Sequence, residues 1–318
     1  MSDWGIFSYL NGTTFDAFNS INFDYVIDVI YASGNGQKSY PITSSSLFYN
    51  VVNGDVGGGT QIYDININGS TITWVLTMPC IIIVMASQIT NNQQDPMYGV
   101  QLYKNGSLAM TPEISPYCLV EVIDLPSGDF GTITTKQDYS DNSLVFFRNR
   151  EATHAGTMGS MTIYRHVQSS GGKLQLSCLR NLNAIRVYIF NKKIINIPDY
   201  GIFLYDTSGK IIWHQDTLPL SIYKGTDYQN HSKPFAIMSS TVSYTEVQQP
   251  GVSAHTQIIR CSSAGPNGNG TGYNVMANGW AYINNLVPGN ANYRWAAPAP
   301  PIIETDIYDQ YYQQSLGV

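Results

Sequence analysis

The residues best suited to chemistry in this chain are acids, histidines, glycines and cysteines, and their spacing decides what they can do. IDLPSGD (123–129) and QDYSDN (137–142) each carry two carboxylates. Two acids flanking a sugar bond can cleave it: one protonates the leaving oxygen while the other attacks or activates water. The same Asp residues, set among Ser, Gly and Asn, also suit solvated turns, where a carboxylate bonds backbone two residues on. The five histidines, His154, His166, His214, His231 and His255, include no pair at the short spacing that puts two ligands on one metal. No metal and no cofactor is expected. GDVGGGT (54–60) lacks the Gly-Lys-Ser/Thr ending of a phosphate loop and reads as a flexible loop. GPNGNGTG (265–272) reads as another; Asn/Gly loops can bind sugar or calcium, but no Asp-x-Asp lies beside it. The cysteines, Cys80, Cys118, Cys178 and Cys261, form no Cys-x-x-Cys pair, and Cys80 and Cys178 fall in apolar runs that suit buried free thiols. None of this amounts to a catalytic constellation, so the chain is not expected to be an enzyme.

Such residues need a scaffold, and the composition describes one. Of the 318 residues 43% are hydrophobic, enough for globular cores, and only 12% are charged. The polarity comes instead from Asn, Gln, Ser, Thr and 23 Tyr. The net charge is −6 with no Lys/Arg run, which argues against nucleic acid, because phosphate neutralisation needs clustered cations. A Tyr- and Asn-rich surface of low charge suits contact with protein or sugar. MSDWGIFSYL has neither the basic start nor the apolar middle of a signal peptide. The most apolar stretch, residues 72–86, is too short for a spanning helix and contains Pro79. Folding in a reducing cytoplasm without membrane insertion is the expectation.

One phrase occurs three times. It reads Trp4-Gly5-Ile6-Phe7-Ser8-Tyr9-Leu10-Asn11-Gly12, then Tyr98-Gly99-Val100-Gln101-Leu102-Tyr103-Lys104-Asn105-Gly106, then Tyr200-Gly201-Ile202-Phe203-Leu204-Tyr205-Asp206-Thr207-Ser208-Gly209. Each runs aromatic, Gly, aliphatic, two residues, Tyr, a short polar run and Gly. Side chains alternate across a strand, and Asn-Gly is the preferred two-residue hairpin turn because both residues tolerate positive φ. The phrase therefore predicts a hairpin, and turn chemistry also explains the sequons Asn11-Gly-Thr and Asn105-Gly-Ser. The aromatics are 94 and 102 residues apart, the length of a small β-sandwich rather than of a solenoid unit.

The intervals read as strands: 71–77, 81–87, 143–149, 160–166, 173–179, 185–191, 256–262 and 279–285, rich in Val, Ile, Tyr, Phe and Thr and separated by Gly/Asn/Ser turns. No amphipathic helix of ten or more residues stands out. The expected fold is all-β: tandem antiparallel β-sandwich domains over 1–97, 98–198 and 199–295, with an extended Pro/Tyr-rich C-terminal arm over 296–318. Tyr308, Tyr311 and Tyr312 on that arm are candidates for docking onto a partner, by strand addition or as aromatic anchors, unless the arm is disordered.

The phrase YGIxLYDxxGKI, opening a β-rich unit of about a hundred residues, resembles a family of tail-associated structural virion proteins of long-tailed bacteriophages. The match covers Trp4–Gly12, Tyr98–Gly106 and Tyr200–Ile211. The resemblance implies a structural component of a virion tail, tail tip or fibre attachment, made in the host cytoplasm and acting through protein–protein interfaces. It carries no catalytic or cofactor residues over. The partners expected are other virion proteins, a second copy of the chain, or a host surface glycan, with no nucleic acid. A receptor- or glycan-binding fibre module, with Trp280 or Trp295 stacking on sugar, and a polysaccharide depolymerase are the alternatives.

Overall fold

The run Cys80–Ala86 is buried along its whole length, which requires a strand covered on both faces. The computed structural model describes residues 7–10, 13–16, 25–40, 47–52, 62–76, 79–86, 102–104, 107–110, 116–127, 131–151, 163–178, 184–223, 225, 228–266, 272–290 and 292–318. The described residues are mostly β, in antiparallel sheets, with one short α-helix. In the first repeat β1 (Phe7–Leu10) and β2 (Thr13–Asp16) form a hairpin. After it come β3 (Tyr25–Ala32), β4 (Asn35–Ser39), β5 (Leu47–Val52), β6 (Ile62–Asn68), β7 (Thr71–Leu76) and β8 (Cys80–Ala86). They make an inner sheet ordered β3-β8-β5 and an outer sheet ordered β4-β7-β6. Cys80, Ile82, Val84 and Ala86 point into the sandwich with Ile65 and Ile72. The alternate residues Ile81, Ile83 and Met85 point the other way, into a second core. Gly36 on β4 is required because the Trp74 indole of β7 lies where its Cβ would be.

The second repeat repeats this topology strand for strand. The β9 (Leu102–Lys104) and β10 (Ser107–Met110) hairpin leads into β11 (Cys118–Leu125), β12 (Thr132–Asp138), β13 (Leu144–Asn149), β14 (Ile163–Gln168), β15 (Lys173–Cys178) and β16 (Ile185–Asn191). The sheets run β11-β16-β13 and β12-β15-β14. In β16, Ile185, Val187 and Ile189 face the sandwich, while Tyr188 and Phe190 face the shared core.

The third repeat keeps the plan and adds to it. Its elements are β17 (Phe203–Tyr205), β18 (Ile211–His214), β19 (Tyr228–His231), β20 (Phe235–Met238), β21 (Thr241–Gln248), β22 (Ala254–Pro266), β23 (Tyr273–Pro288), β24 (Tyr293–Ala296), β25 (Ile302–Glu304) and helix α1 (Asp306–Leu316). β17 and β18 are the hairpin. β19-β23-β22 reproduces the outer order β4-β7-β6, and β21 and β24 extend that sheet. β25 takes the place of β8 beside β20, which stands for β5. Residues 217–223 stand for β3: Tyr223 and Ile302 exchange two backbone hydrogen bonds of 2.8 and 3.1 Å.

The three repeats close on one another. β13 pairs with β20, Phe146 opposite Met238, joining the second and third repeats in one sheet. β21 and β24 lie against β5 and β6 of the first repeat, and Asn50 Nδ2 donates to Ser239 O at 3.1 Å. Tyr31 OH donates to Asn142 Oδ1 at 2.8 Å, tying the first repeat to the second. A common core takes Ile83 and Met85, Phe146 and Phe190, Ala236 and Ile303, and Tyr308 from all of them.

Three expectations are corrected. The boundary at 295 does not end the third repeat, because β25 pairs with β20 beyond it. Residues 296–318 are not an extended arm. Ile302 and Ile303 are fully buried as the closing strand of the third repeat, and the remainder folds back as α1. That helix has eleven residues, where no amphipathic helix stood out in the sequence.

Candidate functional surface

The three phrases all fold as hairpins, and the third can be followed side chain by side chain. Its turn is built by Asp206, whose Oδ1 accepts from Ser208 N at 2.8 Å, Ser208 Oγ at 2.6 Å and Lys210 N at 2.9 Å. Those hydrogen bonds hold its carboxyl below the usual carboxylate range. Gly209 supplies the left-handed residue at φ +81°. The phrase's leading glycine has its own reason. Gln215 reaches across, its Oε1 accepting from Ile202 N at 2.7 Å and its Nε2 donating to Tyr200 O at 3.2 Å. Gly201 lies between those two groups at φ +147°, and a Cβ there would collide with the Gln215 amide.

β18 anchors the hairpin and β17 displays it. Ile212, Trp213 and His214 are buried. His214 Nδ1 accepts from Asp216 N at 3.2 Å, so its proton sits on Nε2 and is donated to Ile195 O at 3.2 Å. On the other strand and its approach, Tyr200 is 85% exposed, Ile202 58%, Ile197 52% and Tyr205 51%. No other short segment of the described residues shows so many large exposed apolar side chains. A strand held by a buried neighbour and displaying apolar side chains to solvent is a docking surface in form. The alternation of the phrase was readable beforehand, but which face meets solvent was not.

The predicted docking residues are engaged inside the chain. Tyr308 lies in the shared core, its ring edge-on to Phe190 at 5.1 Å. Its OH donates to Pro219 O at 3.0 Å and accepts from Ser221 N at 2.9 Å. Tyr311 is buried beside it, and the Tyr312 ring lies 5.3 Å from the Arg186 guanidinium. Asp309 fixes the helix: it accepts from Arg148 and Arg186, both at 2.8 Å, and from Tyr188 OH at 2.6 Å. Asn196, in the approach to the hairpin, donates to Gln314 O and Ser315 O at the helix C-terminus. Helix and hairpin are thereby tied to the same short segment, 195–196. As aromatic anchors these tyrosines dock on their own body.

The carboxylates take the turn and ion-pair role. Asp124 receives Arg186 in a two-pronged pair at 2.6 and 2.5 Å. Burial raises its pKa, but Arg186 and Arg150 outweigh that and leave it low. Asp138 pairs with Lys173 at 2.7 Å and Lys193 at 3.2 Å, and Asp141 pairs with Lys193 at 2.6 Å while closing the 3-10 turn Tyr139–Asp141. Lys173 and Lys193 hold Asp138 below its ordinary range, the opposite of a general acid's need. Asp129 lies outside the described residues. All four cysteines are free and buried, as expected for Cys80 and Cys178, and burial pushes their thiols up to about 12. His166 is buried, and with the Ser239 hydroxyl proton given to Ile163 O at 3.0 Å its Nε2–H donates to Ser239 Oγ at 3.1 Å. Among the described residues no group of three His, Cys, Asp or Glu is placed to hold a metal, and no helix is long and apolar enough to cross a membrane. The loops 54–60 and 267–271, His154, and the side chains of Trp280 and Trp295 lie outside the described set.

Comparison with protein-family models, curated proteins and solved structures gave no match.

Proposed function

We propose that this chain is a structural component of a bacteriophage virion, at the tail or tail tip, acting through protein–protein interfaces. The observation that carries the reading is the threefold hairpin. Each copy of the phrase resembling tail-associated virion proteins folds as a two-stranded antiparallel sheet, and the six strands after it in the first two repeats share one topology. A rigid body with a displayed hairpin supports the work of a spacer or attachment module. The reading requires the protein in intact particles. Mass spectrometry of gradient-purified virions, followed by placement of this fold in the particle by electron microscopy, is the test. Purified virions that lack the protein would sink it.

A second reading, glycan binding, is favoured by Tyr200 and Tyr205, whose exposure suits stacking on a sugar face. Binding to host polysaccharide that is lost in Tyr200→Ala and Tyr205→Ala would support it. The absence of binding by the unaltered protein would remove it.

A further inference from the structure

We infer that the hairpin of the third repeat is a self-association surface, in which β17 of one copy pairs antiparallel with β17 of a second copy. Among the described residues β17 has one strand neighbour, β18, and no described strand lies along its outer edge. A two-stranded sheet is marginal by itself, and three or more strands with an apolar face are far more stable. Pairing two hairpins edge to edge makes a four-stranded sheet. The exposed side chains would then meet their copies, Tyr200 and Ile202 on one face and Tyr205 on the other. An exposed apolar edge strand is a template for another chain.

Three observations point to a second copy as the occupant. First, this fold already joins its own repeats in this way: β13 and β20, the corresponding inner-sheet strands of two repeats, pair antiparallel. Second, antiparallel pairing about a two-fold axis is isologous, so the same apolar residues line both sides. Third, the charges fit that direction. The pairing lays the turn of one copy, where Lys210 is exposed and the Asp206 carboxylate is held by the turn's own hydrogen bonds, alongside the base of the other strand, with exposed Asp199, and does so twice. A parallel alignment would set Asp199 against Asp199 and Lys210 against Lys210. The inference stands on the hairpin alone and holds whether or not the assembly is a virion.

Sedimentation velocity of the whole protein over a wide micromolar range tests it. A reversible monomer–dimer equilibrium is expected. Ile202→Lys, at an exposed position, should leave the circular dichroism spectrum and melting unchanged and weaken the dimer roughly tenfold or more. Lys210→Asp and Asp199→Lys should each weaken it, and the double variant D199K/K210D should restore it. A protein that stays monomeric throughout overturns the inference. So does a dimer indifferent to Ile202→Lys, or a charge-swapped double variant no better than the singles. Hairpin variants that abolish glycan binding but leave a dimer intact would assign the surface to sugar instead.

Discussion

The second and third repeats share a sheet yet close it differently. β16 is a seven-residue strand whose Ile185, Val187, Tyr188, Ile189 and Phe190 reach into the cores on both faces. β25 in the equivalent slot has three residues. What it lacks in length is supplied by α1, which lays Tyr308 and Tyr311 into the shared core, Tyr308 against Tyr188 and Phe190 of β16. The lesson is that the inner sheet needs its central slot occupied and its core face covered, but one strand need not do both. The added strands β21 and β24 make the same point for the outer sheet: they supply the wall against the first repeat.

The sharpest way to break this comparison is to remove the helix's anchor. Tyr308→Ala deletes a fully buried aromatic and two hydrogen bonds to residues 219–221, and should cost about 3–5 kcal/mol in urea denaturation. A loss under about 1 kcal/mol would show that α1 is an ornament on a core already complete. The junction of the repeats gives the next effect. His166 is buried neutral, with its pKa lowered by burial to about 3. The unfolded chain binds its proton near pH 6.5, so the unfolded state holds the extra proton between those values. Stability present above pH 6.5 should therefore fall as the pH drops, by about 1.4 kcal/mol per unit, until the folded state itself takes up the proton. His166→Gln should flatten the stability–pH slope in that window; an unchanged slope would contradict the assignment.

Asp309→Asn comes third. It strips charge from the acceptor that holds Arg148, Arg186 and Tyr188, side chains left 13% exposed for each arginine. With Asp309 itself 21% exposed, solvent softens the loss to roughly 2 kcal/mol. The smallest effect sharpens rather than breaks the comparison. Ile83→Val on β8 and Ile303→Val on β25 should each cost about 0.5–1.5 kcal/mol, because both side chains enter the common core. Unequal values in calorimetry would show that these two closing strands are not energetically alike.

Much of this was legible in the residues. Asn-Gly and Ser-Gly after an alternating run marked all three hairpins, since turn chemistry and a period of two are local signals. The runs 81–87 and 185–191 declared themselves as strands by their Val, Ile, Tyr and Phe, and their near-continuous apolar character reflects burial on both faces at the centre of a sheet. The third repeat's end was hidden for equally physical reasons. Ile302-Ile303-Glu304 is too short to show a period, and Pro300-Pro301 before it suggests extended chain. The buried face of α1 is Tyr308, Tyr311 and Ser315, helically spaced but written in residues that also suit a surface. The expected boundary at 295 failed because β21 and β24 are insertions, which displaced the closing strand past the length of the other repeats. The docking display of Tyr200, Ile202 and Tyr205 needed coordinates, because a sequence does not say which face of a hairpin its body covers.

The place of β25 also sets an order of assembly. Residues 302–316 leave the ribosome after everything they cover. Until then the free edge of β20 and the core face around Phe190 and Tyr188 stand bare, a hazard for any nascent chain. A translation product that stops short of Ile302 keeps that exposure permanently, and chaperones and proteases act on such surfaces. The closing segment thus seals only those molecules whose synthesis has passed β25 and α1.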